Sequence, residues 1–266
     1  MKDLLQALRL CHVEAGLADL YEQARLHGLT YEAFLRRVLL HEIEGRKLTA
    51  QHNRLKAARL PVRKTLEEFD FAFQPSLNER LIWELAELSF VKTKTNIVFL
   101  GPPGVGKTHL AIALCIKALE VGYSVLFTTL AHLATDLTAA PHASALKQRL
   151  RRYLVPQVLV IDEVGYTRLS EEQANLLFAL VRDRYEHGSI ILTSNTSFSQ
   201  WGALLGNEVL ATALLDRLLH HAEAISIQGK SYRMKNRLAS GKTKGSTSRE
   251  ERKEDGSANG ADPGTD

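Results

Sequence analysis

Cysteine is almost missing from the chain: Cys11 and Cys115 are the two among 266 residues, and no C-x-x-C brings them together. A disulfide framework and a cysteine zinc site are thereby excluded, which leaves two reduced thiols packed as small apolar side chains. No apolar run reaches the ~18–20 residues of a membrane span, and the first residues carry no signal-peptide core. The expectation is a soluble, cytoplasmic protein with no membrane partner. No internal repeat of about 20–50 residues is present, so a solenoid or propeller is not expected.

Acid is scarce in one place. Lys+Arg 34 against Asp+Glu 30 gives a net charge of only +4, yet the balance is local. Between Gly45 and Lys64 stand Arg46, Lys47, Arg54, Lys56, Arg59, Arg63 and Lys64, with no Asp or Glu among them. Arg36 and Arg37 extend the run backwards. On a helix, Arg46, Lys47 and Arg54 would share roughly one side, which suits a phosphate backbone. A solvated helix face is the alternative, but nothing compensates these charges, so contact with double-stranded DNA is expected. Such contact would be salt-dependent and mostly blind to sequence.

The run belongs to a helical segment, residues 1–64. Leu4, Leu5, Leu8, Leu17, Leu20, Tyr21 and Ala24 fall at helical spacing, and Gly16 and Gly28 punctuate the pattern near expected helix boundaries. Thr30 would cap a third helix with Phe34, Leu35, Val38, Leu39 and Ile43 on its apolar face. Pro61 ends the helical pattern. Residues 65–75 form an expected linker: Thr65-Leu-Glu-Glu68 has capping-box form, and Phe69-Asp-Phe-Ala-Phe73 predicts an extended strap that packs on the next domain. Ser76-Leu-Asn-Glu79 is a second capping box, opening a helix with Leu81, Ile82, Leu85 and Leu88.

From Asn96 onwards short apolar strands alternate with helices, the pattern of an α/β fold with a mostly parallel sheet. Strands are expected at 96–100, 123–128, 157–161, 189–193 and 223–227. The helix after the first strand should end near Gly122, residues 130–154 should be two helices broken at Pro141, and Ser170-Glu-Glu-Gln173 should cap a further helix. Residues 204–221 read as one helix or two. The segment 76–238 is thus an expected catalytic domain, and residues 239–266, with no apolar face, an expected disordered tail.

Two strand ends carry the chemistry. Asn96–Leu100 runs into Gly101-Pro-Pro-Gly-Val-Gly-Lys-Thr108, G-x-x-x-x-G-K-T between a strand and a helix. Glycines 101, 104 and 106 let the backbone turn its N–H groups into one concavity, and the helix N-terminus adds partial positive charge. Lys107 would reach the β- and γ-phosphates of a nucleoside triphosphate, and the Thr108 hydroxyl a Mg²⁺ ion. The second element is Val158-Leu-Val-Ile-Asp162-Glu163. Asp162 would complete the Mg²⁺ shell beside Thr108, and Glu163 is the natural base for an attacking water. Asn195, ending the next strand, would orient that water or the γ-phosphate. Asp162-Glu-Val-Gly165 also fits the D-x-x-G of GTP switches, but no N-K-x-D guanine reader occurs, which disfavours a GTPase. A small-molecule kinase is the remaining rival, against which the adjacent Asp-Glu pair and the strand-end Asn favour water as acceptor.

Gly101–Thr108, Val158–Glu163 and Thr193-Ser-Asn195 resemble Walker A, Walker B and sensor I of AAA+ ATPases. The N-terminal helices, Leu48-Thr-Ala-Gln-His-Asn-Arg-Leu-Lys56, Leu66-Glu-Glu-Phe-Asp-Phe71 and Gln74-Pro-Ser76 resemble the IstB family, the ATPase helpers of istAB-type insertion sequences and relatives of the DnaC helicase loader. The resemblance implies an AAA+ P-loop NTPase with a parallel five-stranded sheet, preceded by a small all-α domain for DNA binding and oligomerisation. It implies ATP as substrate, with Gly101, Pro102, Pro103, Gly104, Val105, Gly106, Lys107, Thr108 and His109 around its phosphates. It further implies a partner transposase recruited on target DNA. Arg217, in Leu214-Leu-Asp-Arg-Leu218, falls where these ATPases place an arginine finger for a neighbour's nucleotide, which implies head-to-tail rings or helices, and Asp216 would hold its guanidinium. Ser231-Tyr-Arg233 resembles the loaders' terminal motif, with Arg233 near the phosphates. The chain departs from a typical AAA+ module in its C-terminal lid, expected to be reduced or absent. The alternative function is a helicase-loading adaptor that uses ATP as a switch.

Overall fold

The computed structural model describes residues 1–235; the expected tail and the end of the expected catalytic segment lie outside the described residues. Three helices open the chain: α1 (Lys2–Ala7), α2 (Cys11–Leu26) and α3 (Tyr31–Ala57). Thr30 caps α3 as its position predicts, its Oγ1 accepting from the Ala33 N–H at 3.3 Å. Gly28 follows the end of α2 at φ +56°, but Gly16 marks no boundary. It lies within α2, where the His41 ring of α3 packs against its Cα.

The apolar face of α3 is only partly used. Phe34 and Val38 pack on Leu5, Val13 and Leu20, while Leu35, Leu39 and Ile43 stay exposed. The contact between α2 and α3 also has a polar anchor. The residue before α2 is Leu10, which has no capping side chain, and the α2 N-terminus is capped instead by Glu42 of α3. The buried Glu42 carboxylate accepts from the N–H groups of His12 and Val13, both at 3.0 Å, and from Arg46 Nε at 2.8 Å. A carboxylate there meets orphan N–H donors and the positive end of the helix dipole.

Beyond α3 the chain packs directly on the sheet. Ala58 is buried in the core, and its carbonyl accepts the Phe127 N–H of edge strand β2 (Val125–Thr129) at 2.8 Å. That contact shields an otherwise open strand edge. Two local expectations fail in the segment that follows. Thr65–Glu68 opens no helix: Glu68 reaches back to the Thr65 N–H at 3.2 Å, but the chain turns away. Phe69–Phe73 is not extended either, since Asp70 accepts the Phe73 N–H and folds Phe71–Phe73 into a 3-10 turn. The next helix, α4 (Glu79–Ala86), is capped by Asn78 rather than Ser76. Ser76 instead donates to the Gln228 carbonyl at 2.6 Å and accepts its N–H at 2.9 Å.

After α5 (Ser89–Thr93) come β1 (Asn96–Leu100), α6 (Lys107–Val121), β2, α7 (Leu130–Thr138), α8 (Ala143–Leu154) and β3 (Val158–Val164). Then follow α9 (Glu171–Arg184), β4 (Ser189–Ser194), α10 (Trp201–Leu205), α11 (Glu208–Leu219) and β5 (Ala222–Ser226). Ser170 and Gln173 form the expected reciprocal capping box of α9. The five strands pair in parallel in the order β2-β3-β4-β1-β5. Alternate residues face opposite sides of the sheet. Ile97, Phe99, Val125, Phe127, Val158 and Val160 join the core under α4 to α6, and Val98, Leu126, Leu159 and Ile161 the core under α7 to α11. Both faces are covered, so β1 to β4 are buried and mostly apolar, whereas edge strand β5 is largely exposed and carries Glu223. Beyond β5 the described residues are a short connection and a helical stretch at 232–235; the rest of the segment where a lid would stand lies outside the described residues. The chain returns to the Gly-rich loop, where the Tyr232 N–H donates to the Gly104 carbonyl at 2.9 Å.

Candidate nucleotide-binding site

With β4 between β1 and β3, the carboxyl ends of all three strands open into one crevice, the place where parallel α/β sheets bind ligands. A cleft of about 380 Å³ occupies it. Its floor is the loop before α6. Gly104 and Gly106 take φ of +85° and +103°, a region side chains disfavour, and Ser231 and Phe69 pack so closely on them that a Cβ would not fit. Pro103, Val105, Lys107, Thr108 and His109 line the same cleft. The buried Lys107 ammonium donates to the carbonyls of Gly101 at 2.7 Å and Pro102 at 2.9 Å. Burial lowers its pKa from the usual lysine value; Asp162 opposes that shift and Arg233 adds to it.

Thr108 and Asp162 meet as their motifs predict. The Thr108 hydroxyl lies 2.9 and 3.1 Å from the two Asp162 oxygens, a pair of hard oxygen donors of the chemistry that suits Mg²⁺. Asp162 and Glu163 are neighbours on a strand and would ordinarily point to opposite faces. A bulge prevents this: Ile161 pairs with Leu192 and Val164 with Ser194, so Asp162 and Glu163 together face Thr193. Glu163 takes φ +63°, a conformation that costs an L-residue about 1–2 kcal/mol. Asp162 stays buried against Thr108 while Glu163 lines the cleft. Asn195 lines it as well, and its Oδ1 is buried with no partner among the described residues.

The segments flanking the catalytic motifs form the remaining walls. Val62, Lys64, Glu68, Phe69, Asp70 and Gln74 line one side, Tyr232 and Arg233 the other. They are tied together: Gln74 Nε2 donates to the Lys230 carbonyl at 3.0 Å, and Lys235 pairs with Asp70 at 3.0 Å. His109 Nε2 lies 2.7 Å from the Thr65 carbonyl oxygen, and its ring meets the Phe69 ring edge-on at 5.2 Å. The aromatic spacing of residues 69–73 marked packing. The fold also places one of these rings, Phe69, on the border of the cleft.

The basic run divides. Lys64 is a cleft residue, and Arg46 is engaged with Glu42 and with the Arg9 carbonyl at 2.8 Å. Arg54 lies half-buried against Gly122 of the sheet domain, its Nε buried without a partner. Arg46, Lys47 and Arg54 therefore do not offer one free face; Lys47, Lys56, Arg59 and Arg63 remain exposed. Arg217 is remote from the cleft. Its guanidinium sits 5.1 Å from the centre of the Phe178 ring and donates to the Ala213 carbonyl at 3.3 Å, with no ion pair to Asp216. It lines a small hollow with Asn96 and Ile190, at the amino ends of β1 and β4.

The model of the family described as IstB-like ATP binding protein matches residues 3–240. The ATP-binding protein of insertion sequence IS21 from Pseudomonas aeruginosa is 47% identical over 238 residues, 90% of each chain. That of IS5376 from Geobacillus stearothermophilus is 47% identical over 214 residues, 80% of this chain and 85% of the relative. Among solved structures, DnaI aligns with a TM-score of 0.53 at 22% identity over 65% of this chain and 93% of its own. AMPPCP-bound DnaA from Aquifex aeolicus aligns with a TM-score of 0.53 at 22% identity, over 68% and 56%. The structural likenesses show the parallel α/β P-loop fold; the sequence matches go further, and the chain belongs to the family of IstB-like ATP-binding proteins.

Proposed function

We propose that this chain is a DNA-binding AAA+ ATPase that assembles on target DNA and recruits and stimulates a partner transposase. One observation carries the reading: Lys107, the Thr108–Asp162 pair, Glu163 and Asn195 surround a single cleft in a chain whose relatives are named ATP-binding proteins of insertion sequences. Those names favour transposition over helicase loading.

In this reading the N–H groups of the loop and the α6 N-terminus bind the phosphates, and Lys107 exchanges the Gly101 and Pro102 carbonyls for phosphate oxygens. Thr108 and Asp162 hold Mg²⁺, which when bound neutralises charge on the transferred phosphoryl group. Glu163 accepts the proton of the attacking water, and Asn195 on the cleft wall orients that water or the γ-phosphate. Arg233 adds a second cation on the cleft wall. Arg217 acts on a neighbouring subunit's nucleotide, which makes the assembly head-to-tail, and Lys47, Lys56, Arg59 and Arg63 meet the DNA backbone.

ATP turnover with two variants tests the catalytic part. Lys107→Ala is expected to lose nucleotide binding. Glu163→Gln is expected to bind ATP and turn it over about 10²-fold more slowly or worse, the scale of a general base. Wild-type turnover by Glu163→Gln would remove Glu163 from the role. Co-purification with a candidate transposase, dependent on ATP and DNA, tests the recruiting part.

A further inference from the structure

At the β3 bulge a single side chain serves both acids of the site. Thr193 of β4 is 1% exposed, and it is the one residue that Asp162 and Glu163 together oppose across the ladder. Its hydroxyl donates to Asp162 Oδ1 and accepts the Glu163 backbone N–H at 3.1 Å. In a regular parallel ladder that N–H would bond to a backbone carbonyl of the neighbouring strand. Here the bulge removes the carbonyl from register, and a side-chain oxygen takes its place. A buried N–H without a partner is costly, so the hydroxyl is what makes the left-handed conformation of Glu163 tenable. The bonding is directional: the one O–H donor goes to Asp162, and one lone pair receives Glu163. Asp162 in turn accepts from Thr108. The chain Thr108–Asp162–Thr193–Glu163 therefore links the cation-holding side of the cleft to the base through one hydroxyl.

We propose that Thr193 is a positioning residue for hydrolysis, fixing the backbone of Glu163 so that its carboxylate faces the water site, in register with Asp162. The inference rests on the ATPase reading above. Thr193 lines the cleft beside Glu163 and Asn195, but its hydroxyl proton goes to Asp162 and its oxygen receives the Glu163 N–H, so it acts through Glu163. A valine at 193 has the same shape and lacks the hydroxyl, whereas a serine keeps the hydroxyl and loses only a methyl group.

Four proteins decide the matter: wild type, Thr193→Val, Glu163→Gln and the double variant, each assayed for ATP affinity and for turnover at saturating ATP and Mg²⁺. Thr193→Val is expected to bind ATP within about twofold of wild type and to lose about 10²-fold in kcat, the scale of a roughly 1 Å misplacement of a reacting group. Thr193→Ser should recover most of that loss. In the Glu163→Gln background, Thr193→Val should cost little more, because the group it positions is already disabled. Wild-type kcat in Thr193→Val, or losses that multiply in the double variant, would overturn the inference while leaving the ATPase reading intact. Absence of turnover in the wild type, or full turnover in Glu163→Gln, would strike that reading instead. Should Thr193→Val fail to bind ATP through misfolding, Thr193→Ala with the same double-variant comparison decides by the same criteria.

Discussion

The Thr108 hydroxyl donates into the Asp162 carboxylate from a position 54 residues earlier in the chain. The contact spans the two strand ends that β4 separates, and it holds two oxygen donors together before any cation arrives. Thr108→Val removes one of them and leaves the carboxylate facing a methyl group. The Mg²⁺ concentration giving half-maximal ATP turnover is expected to rise by about 10-fold or more, the scale seen when even an outer partner of a metal site is lost. Thr108→Ser should stay near wild type. A titration of turnover against Mg²⁺ for the three proteins checks this, and an unchanged midpoint in Thr108→Val would remove the hydroxyl from the cation's shell.

The motif-bearing residues were legible because their chemistry is local: a glycine loop, a lysine and a threonine are set by one turn and one helix start. The strand pattern was legible for a similar reason, since four buried strands and one edge strand alternate with helices at recognisable spacing. What stayed hidden depends on distant partners. Ser76 has capping-box form, but Gln228 competes for its hydroxyl, and Asn78 takes the cap. Arg46 and Arg54 stand in an acid-free run, yet Glu42 and the Gly122 turn absorb them. Arg184 looks like an ordinary last-turn helix cation. It is 1% exposed, donates to the carbonyls of Tyr153, Pro156 and Ser189, and is pushed down by burial to a pKa of about 10. No spacing rule in the sequence announces a guanidinium caged by backbone oxygens.

Glu42 makes the helical N-terminal unit sensitive to acid. Burial pushes its pKa up, but Arg46 and the N–H groups of Val13 and His12 outweigh that and hold it below the usual carboxylate value. A lowered folded-state pKa means a contribution that is complete above the unfolded value, about 4.3, and lost as pH falls through the folded one. Glu42→Gln should destabilise α2 and α3 by about 1–3 kcal/mol at neutral pH, the range for charged hydrogen bonds. The gap from wild type should narrow as pH falls from the unfolded value through the lower folded one. Hydrogen exchange of the His12 and Val13 amides over a pH series measures it, and a pH-independent gap would contradict the linkage.

DNA affinity should depend on the cations that remain free. Replacing Lys56, Arg59 and Arg63 with glutamine is expected to weaken binding alike for unrelated duplexes and to lower the log–log salt slope by about 2–3, roughly 0.9 per lost phosphate contact. Arg46→Gln should instead loosen the α2–α3 pairing and leave the slope almost unchanged. Fluorescence anisotropy across salt concentrations separates the two. If the triple variant kept both affinity and slope, the DNA surface would lie on the loops of the sheet domain.

Arg217 sits far from its own subunit's cleft, in a hollow at the amino ends of β1 and β4, whereas Lys107 and Glu163 lie at the carboxyl ends. That separation is what a residue acting on a neighbour requires, since a head-to-tail contact brings one subunit's amino-end face to the next subunit's cleft. The Phe178 ring and the Ala213 carbonyl hold the guanidinium only lightly, at 5.1 Å and 3.3 Å, so docking need not break an ion pair. Arg217→Ala should bind ATP normally and lose both turnover and ATP-dependent assembly on DNA. Lys107→Ala should lose turnover through its own empty cleft while its Arg217 stays intact. Mixed together, the two variants form some junctions with a working cleft from one subunit and a working arginine from the other, and part of the activity should return. Turnover of the mixture no higher than that of either variant, with Arg217→Ala still forming large complexes on DNA, would confine Arg217 to a role within its own subunit.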